Sequence, residues 1–477
     1  MKRLSNIEHV REMRRTCRDA ANGDLAIRDN ALSYVALPAE LGNPRERAAY
    51  LFRGRHVPVL SGSISTMLGC LFAKAPEIEI GHRFVDQMID TCGIAGEPMT
   101  EIMRETAQEV LEVGTVALFL NQPSVDPNYR TADEKFRPPR IQTFSVEQWA
   151  EEPKTEWVNG TLQLTSMKFD DGQHETSDGL RDGTFEVYLN PDDDFRCWVR
   201  IAYFEPKLEQ EVITSDERYG VGHSDEGIRY IPVVIVGPDG IAPKIAPPPL
   251  YPVAKLSIQA WGTSLELGAL LWRAGFGQHY VIGPVSETDL PTRSGPGTLW
   301  HLPPGCEVGQ LQTDPNAAPH LQNEIDKTIS AALTMSANFM SVGTAAQATA
   351  STSHAVASMK MKGSMSLLQS VANAVEAAMA QCIEWAIQWD ARAMQVEPVY
   401  TVRLNREWLS DGIEPAMLKL LLELSQTGYL SAQAVYMTLE KSGLTLPHDF
   451  DTDQDLLRES TYALDPPSGS PTLDGFT

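Results

Sequence analysis

The chain is poor in cysteine and in basic residues, and it has no long apolar run. Its six cysteines in 477 residues, Cys17, Cys70, Cys92, Cys197, Cys306 and Cys382, stand far apart, with no Cys-x-x-Cys and no histidine at zinc-finger spacing. That pattern signals neither a zinc site nor a disulfide framework, and it reads as buried free thiols. No stretch approaches the ~18–20 consecutive apolar residues of a bilayer-spanning helix; the greasiest, Val116 to Leu120 and Ile231 to Val236, have the length of strands. The opening Met-Lys-Arg-Leu-Ser-Asn-Ile-Glu-His has no apolar core for a secretory signal, so the mature protein is expected to start here. Lys and Arg total 39 against 63 Asp and Glu, a net charge of −24. Such a chain does not grip nucleic acid through a basic surface, although it can still let DNA pass.

Catalytic signatures are missing as well. There is no G-x-x-x-x-G-K-[ST], no G-x-G-x-x-G opening a helix, no H-E-x-x-H and no G-x-S-x-G after a strand. The run Asp449-Phe-Asp451-Thr-Asp453-Gln-Asp455 mimics half a calcium loop, but Gln454 replaces the turn glycine and Ser460 the bidentate glutamate, so it reads as helix-capping acid. Asp192-Asp193-Asp194 reads as an acidic hairpin tip. No cofactor, no metal and no enzyme activity are expected.

What is present is ample apolar content, 42%, for two to four folding units. The first third alternates helices and strands. Asn43-Pro44 opens a helical pattern interrupted near Pro58, 86–92 and 100–112 read as helices, and Gly114 closes the second before a strand at 115–120. From Arg140 to Val236 the apolar period becomes two, with Asn159-Gly160 marking a hairpin. Pro247-Pro248-Pro249 then sets a sharp boundary. Ile258, Trp261, Leu265, Gly268 and Trp272 follow at spacings of three, four, three and four, a heptad-like seam that asks for a neighbouring helix. Residues 278–318 are Gly- and Pro-rich short strands, and a second helix returns over 319–340 with Leu321, Ile325, Ile329 and Leu333 on an i, i+4 ridge. After a small-residue loop comes the longest helical pattern, 354–394, with Gly363-Ser364 as a candidate kink. A strand at 399–404 and two more helices precede a polar tail from 464.

One absence is local. From Thr328 to Val375, 48 residues contain no Asp or Glu, where the chain average would place about six, and the only charges are Lys360 and Lys362. Part of this segment is the Ser/Thr/Gln loop 341–353, too polar to be core. Low negative charge without Lys/Arg density suits a surface that approaches a polyanion without holding it.

The order and spacing of Glu112-Val-Gly114-Thr-Val-Ala-Leu, Tyr230-Ile-Pro-Val-Val, Pro247-Pro-Pro-Leu250-Tyr, Val281-Ile-Gly283 and Gly428-Tyr-Leu-Ser431 resemble the portal proteins of tailed bacteriophages, in particular a subfamily long catalogued as a domain of unknown function. The resemblance covers about residues 40–460. It implies an α+β fold with a mixed wing (1–247), a stem of two helices (248–277 and 319–340), a small β clip (278–318), a tunnel loop (341–353), a long kinked wing helix (354–395), a helical crown (396–463) and a flexible tail (464–477). Ile258, Trp261, Leu265, Gly268, Ile325 and Ile329 would pack the stem. Ser341, Thr344, Gln347, Thr349 and Ser351 would face DNA, with Lys360 and Lys362 close behind. The implied assembly is a homo-oligomeric ring, typically of twelve subunits, at one capsid vertex of the virion and built in the host cytoplasm. Double-stranded DNA would pass through its channel, and the major capsid protein, a terminase and a head-tail adaptor would be its partners, with no membrane. A non-portal head-tail adaptor or scaffold is the alternative; a metal-dependent hydrolase around Asp192 to Asp194 and Glu211 is a remote third.

Overall fold

A computed structural model of the chain describes residues 6–38, 42–82, 85–122, 138–158, 161–176, 179–205, 210–219, 227–276, 278–284, 304–311, 315–340, 354–389 and 400–406. The chain divides into two units, 1–340 with 354–405, and 341–353 with 406–477. The second lies outside the described residues except for Arg406, and so do the sequence assignments for the tunnel loop, nearly all of the crown and the tail. The first unit is α+β.

Helix α1 (Asn6–Asn22) and the short α2 (Asp24–Asp29) lead to α3 (Pro44–Leu51) and α4 (Val59–Leu71). α3 starts where the sequence says it should: the Asn43 side chain accepts from the Arg45 amide at 3.0 Å, and Pro44 takes the first turn, where its missing N–H costs nothing. Strand β1 (Glu77–Ile80) follows. The helix expected over 86–92 is a single 3₁₀ turn, Asp86–Met88, because the chain then folds into a glycine turn whose Cys92 and Gly93 amides donate to the Glu97 carbonyl. α5 (Met99–Val113) is buried along one face and stops at Gly114, whose φ of 86° is the left-handed helix cap.

Strand β2 (Val116–Asn121) pairs with β3 (Arg140–Ser145). A second sheet, entirely antiparallel, runs through β4 (Lys154–Val158), β5 (Thr161–Thr176), β6 (Gly179–Asn190), β7 (Arg196–Glu205) and β8 (Gln210–Arg218) in chain order. The Asn-Gly hairpin is present: Val158 and Thr161 are register partners on either side of it. β9 (Val233–Gly237) and β10 (Gly240–Ile241) complete the first sheet in the order β10-β9-β2-β3. Ala117, Phe119, Phe144, Phe169, Val187 and Ile235 belong to one buried cluster between the sheets. Phe144 stacks on Phe169 with ring centroids 4.0 Å apart, and Phe119 meets Phe185 edge-on at 5.3 Å.

The third part is helical. α6 (Tyr251–Phe276) leads into β11 (Gln278–Ile282), which pairs antiparallel with β12 (Glu307–Leu311), and the chain returns through α7 (Ala318–Met340), packed back along α6. α8 (His354–Gln388) is one unbroken helix through Gly363-Ser364 and ends six residues before the expected 394. Its C-terminal half is a buried spine of Leu368, Val371, Val375, Met379, Cys382 and Ile383 against α5 and β9. β13 (Tyr400–Arg403) then pairs with β1. The cysteines are free thiols, four of them buried and Cys70 and Cys306 half-buried; burial pushes the Cys17 and Cys92 thiols up to about 12. No described helix is long and apolar enough to cross a membrane.

Two motifs far apart in sequence meet at the end of α5. The Arg14 Nε donates to the Val113 carbonyl and its terminal nitrogen to the Ala246 carbonyl, both at 3.1 Å, and the Thr115 hydroxyl accepts from the Ala246 amide at 2.9 Å. A Cβ on Gly114 would lie 2.6 Å from the Pro247 carbonyl oxygen. Gly114→Ala therefore combines a left-handed backbone penalty of ~1–2 kcal/mol with overpacking of ~1–3 kcal/mol against backbone that three hydrogen bonds hold in place. The expected loss is at least about 2 kcal/mol in equilibrium unfolding, with the helix signal and the sheet signal falling together.

Candidate functional site: a helix pair and the strap that holds it

The α6 seam is covered from within the chain, in part by an extended segment, while α7 and α1 also pack against this helix. Residues 53–57, between α3 and α4, run along α6 in the opposite direction. The Ser257 hydroxyl donates to the Val57 carbonyl at 2.9 Å and lies 3.0 Å from His56 Nε2, and the Arg55 amide donates to the Ser264 hydroxyl at 2.8 Å. A Cβ on Gly54 would sit 2.7 Å from Leu265 Cδ2, and one on Gly268 would sit 2.8 Å from Arg53 Cβ. The seam glycine thus admits a backbone strap. At the far end, the Arg53 guanidinium lies over the Trp272 ring, 4.5 Å from its centroid.

Of the residues expected to pack the stem, Trp261, Leu265 and Gly268 lie against this strap. Ile258, Trp261 and Leu265 are buried in a single chain, Trp261 completely, so they are not open to a neighbour. Gly268 is half-buried beneath Arg53, and Trp272 is 49% exposed. On α7 the buried side is Ile325, Thr328, Ala332 and Ser336; Ile329 is half-buried and Leu333 is 52% exposed. Along the i, i+4 ridge Ile325 is thus buried, Leu321 and Ile329 are half-buried and Leu333 is exposed. Small residues face inward because α7 lies close to its neighbours, with the Ser336 and Ser63 hydroxyls hydrogen-bonded between α7 and α4.

The strap, with Asp24 nearby, brings a serine, a histidine and a carboxylate into one region. Ser257 is only 2% exposed and its proton is committed to the Val57 carbonyl, so this group clamps the strap. Burial lowers the His56 pKa, and Asp24 partly opposes the shift. The acidic tip at Asp192 to Asp194 is likewise engaged: Asp193 accepts from Arg218 at 2.7 Å and from Trp198 Nε1 at 3.0 Å, and Asp194 pairs with Arg229. Glu211 pairs with Lys168 on the same sheet. Among the described residues, no group of three or more His, Cys, Asp and Glu is placed to hold a metal ion.

The hairpin end of the helix pair leaves apolar side chains uncovered. Leu271 on α6, Tyr280 and Ile282 on β11, and Val308 on β12 are 42–60% exposed, and towards the opposite end of α7 Leu333 and Met335 are exposed as well. A two-stranded ribbon is marginal on its own, and large exposed apolar surface marks an interaction site. Ser341, Thr344, Gln347, Thr349 and Ser351 lie outside the described residues. Lys360 and Lys362 fall in the N-terminal part of α8, with side chains outside the described set.

Residues 249–390 match the family described as Domain of unknown function (DUF4055). The matched span starts two residues before α6 and ends just beyond α8. No curated protein matches the chain. Among solved structures it is similar to a chain described as "Neck of empty GTA particle computed with C6 symmetry", with 13% identity, 84% of this chain and 94% of that chain covered, and a TM-score of 0.35.

Proposed function

We propose that this chain is a portal protein of a tailed bacteriophage, a ring-forming DNA conduit at one capsid vertex that serves genome packaging and ejection and carries the head-tail joint. The observation that carries the reading is the helix pair capped by a small β hairpin, packed within its own chain on one side and leaving Leu271, Leu333, Met335 and the hairpin's Tyr280, Ile282 and Val308 exposed. Copies related by rotation would cover that surface through heterologous contacts that close into a ring, typically of twelve. In this reading the hairpin is the docking surface for terminase and later for tail adaptors, the wing meets the major capsid protein, and the chain itself catalyses nothing. A head-tail adaptor or scaffold would share the helix pair but would not surround DNA.

Loop 341–353 would line the channel. Its neutral hydroxyls and amides offer phosphate oxygens hydrogen bonds worth only ~0.5–1.5 kcal/mol each, and every copy adds a net −24 to the wall, so the duplex slides without sticking. Thr344→Asp in every subunit adds a ring of like charge, and Thr344→Arg adds a ring of counter-charge. Both variants should assemble and both should lower the length of packaged DNA, measured by gel sizing of virion genomes, while Thr344→Ala stays within about 10% of wild type in that assay. Normal genome length with both charged variants would remove the loop from the channel.

A further inference from the structure

A second site lies away from the helix pair. A cleft of about 660 Å³ opens between α1 and the segments around Trp149 and Pro243. Its floor is apolar: Trp149 belongs to the buried inter-sheet cluster, with Val146 and Ile245 packed against it, and Pro153 and Pro243 extend the surface. Arg11, Arg14, Arg15 and Arg18 follow one another along the α1 side, and Lys244 stands on the other bank.

The charges do not cancel. Arg18 is fully engaged with Glu109, Glu112 and Glu147, and Arg15 donates to Asn30. Of the lining acids, Glu147 is taken by Arg18, Glu151 by Lys154 and Lys168, and Asp19 accepts from Asn30 and Tyr34. Among the described residues this leaves Arg11, Arg14, Arg15 and Lys244 without an ion-pair partner. Arg14 spends two of its nitrogens on backbone carbonyls and directs no bond to a carboxylate. Asp19, bonded to neutral groups, and Glu152 are the lining acids without a cationic partner. The result is a local cationic excess in a chain of net −24. Burial, and next the Arg11 charge, lower the Arg14 guanidinium to about 10. A cation penalised in this way gains most when an anion arrives.

The geometry points to a docking site for an acidic segment of a partner protein, whose carboxylates meet the exposed Arg11 and Lys244, close to the buried Arg14, while an apolar side chain rests on the Trp149 floor. Arg11 and Arg14 are three residues apart, ~4.5 Å of helical rise, and alternate residues of an extended peptide are ~6.6 Å apart, a difference that long arginine side chains absorb. Charge complementarity of this kind sets specificity and encounter rate and is screened by salt.

The test uses the full-length protein and a fluorescein-labelled peptide Glu-Phe-Glu-Leu-Glu-Phe, with its Gln-for-Glu counterpart, read by fluorescence anisotropy. The acidic peptide should bind at least tenfold more tightly than the neutral one, and Arg11→Glu with Lys244→Glu should weaken it at least tenfold. Lys255→Glu, an exposed reversal on α6, should leave binding unchanged. Both cleft positions are at the surface, so folding of the double variant is checked by its unfolding midpoint. Equal binding of the neutral peptide, or no effect of the double reversal, would overturn the assignment. A change in oligomeric state of the double variant would overturn it too, because the cleft would then belong to a contact between copies of this chain. The two peptide-binding results do not bear on whether the chain forms rings.

Discussion

Arg18→Met should cost the protein about 3–5 kcal/mol, the largest loss expected from a single side chain outside the apolar core. Arg18 donates to Glu109 at 2.9 Å, to Glu112 at 2.7 Å and to Glu147 at 3.0 Å, and to the Ser145 hydroxyl, which itself donates to Glu109 at 2.8 Å. One guanidinium thus joins α1 to α5 and to the end of β3. Burial alone would lower its pKa, but the Glu109 hydrogen bond and the surrounding carboxylates hold it above the ordinary arginine range. Glu112, whose side chain is 5% exposed, is raised: its burial penalises the charge more than a shared guanidinium restores. Removing Arg18 leaves that carboxylate buried and uncompensated.

The pH dependence follows from the same geometry. A carboxyl whose folded pKa is raised takes up a proton in the native state before it does so in the unfolded chain, so stability is gained as pH falls through the folded value. In Arg18→Met the Glu112 pKa moves further up, and the deficit against wild type should narrow on acidification from neutral pH. Arg18→Lys keeps one charge but loses the fork and should recover only part of the loss. Urea unfolding at matched protein concentration measures all three. A loss below about 1 kcal/mol, the range of exposed ion pairs, would show the network to be solvent-screened.

Leu271→Glu combined with Leu333→Glu should abolish assembly while sparing the fold. Both side chains are about half exposed, one on α6 and one on α7, and neither belongs to the buried core. A charge there costs the isolated subunit little. In a ring of heterologous contacts each copy would present both helices to its neighbours, so every interface carries the lesion and the cost multiplies around the ring. Mass photometry should show monomers and small oligomers in place of the full assembly, with an unchanged unfolding midpoint for the subunit. The corresponding change at Trp261 would unfold the strap, because that indole is buried inside one chain.

Several elements were legible because their cause is local. Asn43-Pro44, the Gly114 stop, the Asn159-Gly160 hairpin and the Pro-rich boundary before α6 each rest on backbone preferences of a few residues. The α6 seam was visible but its partner was not: the periodicity reports which face is buried, not what buries it, and the cover includes an extended strap about 200 residues upstream. On α7 the ridge showed Ile325 but not Thr328, Ala332 and Ser336, because an apolar count passes over the small and polar side chains that tight packing selects. The Arg18 network joins residues 91 to 129 positions apart. Its only trace in sequence is Glu105, Glu109 and Glu112 at helical spacing on α5, facing nothing local of opposite sign. The arginine cleft leaves a clearer one, Arg11, Arg14, Arg15 and Arg18 on one short helix of an acidic chain.

The ring is the central claim, and imaging of the purified full-length protein by electron microscopy tests it most directly. The account predicts closed rings with a central channel wide enough for a DNA duplex, the β11–β12 hairpin at one end of the channel and loop 341–353 facing inward. Monomers, open filaments, or closed particles with this loop on the outer rim would contradict it.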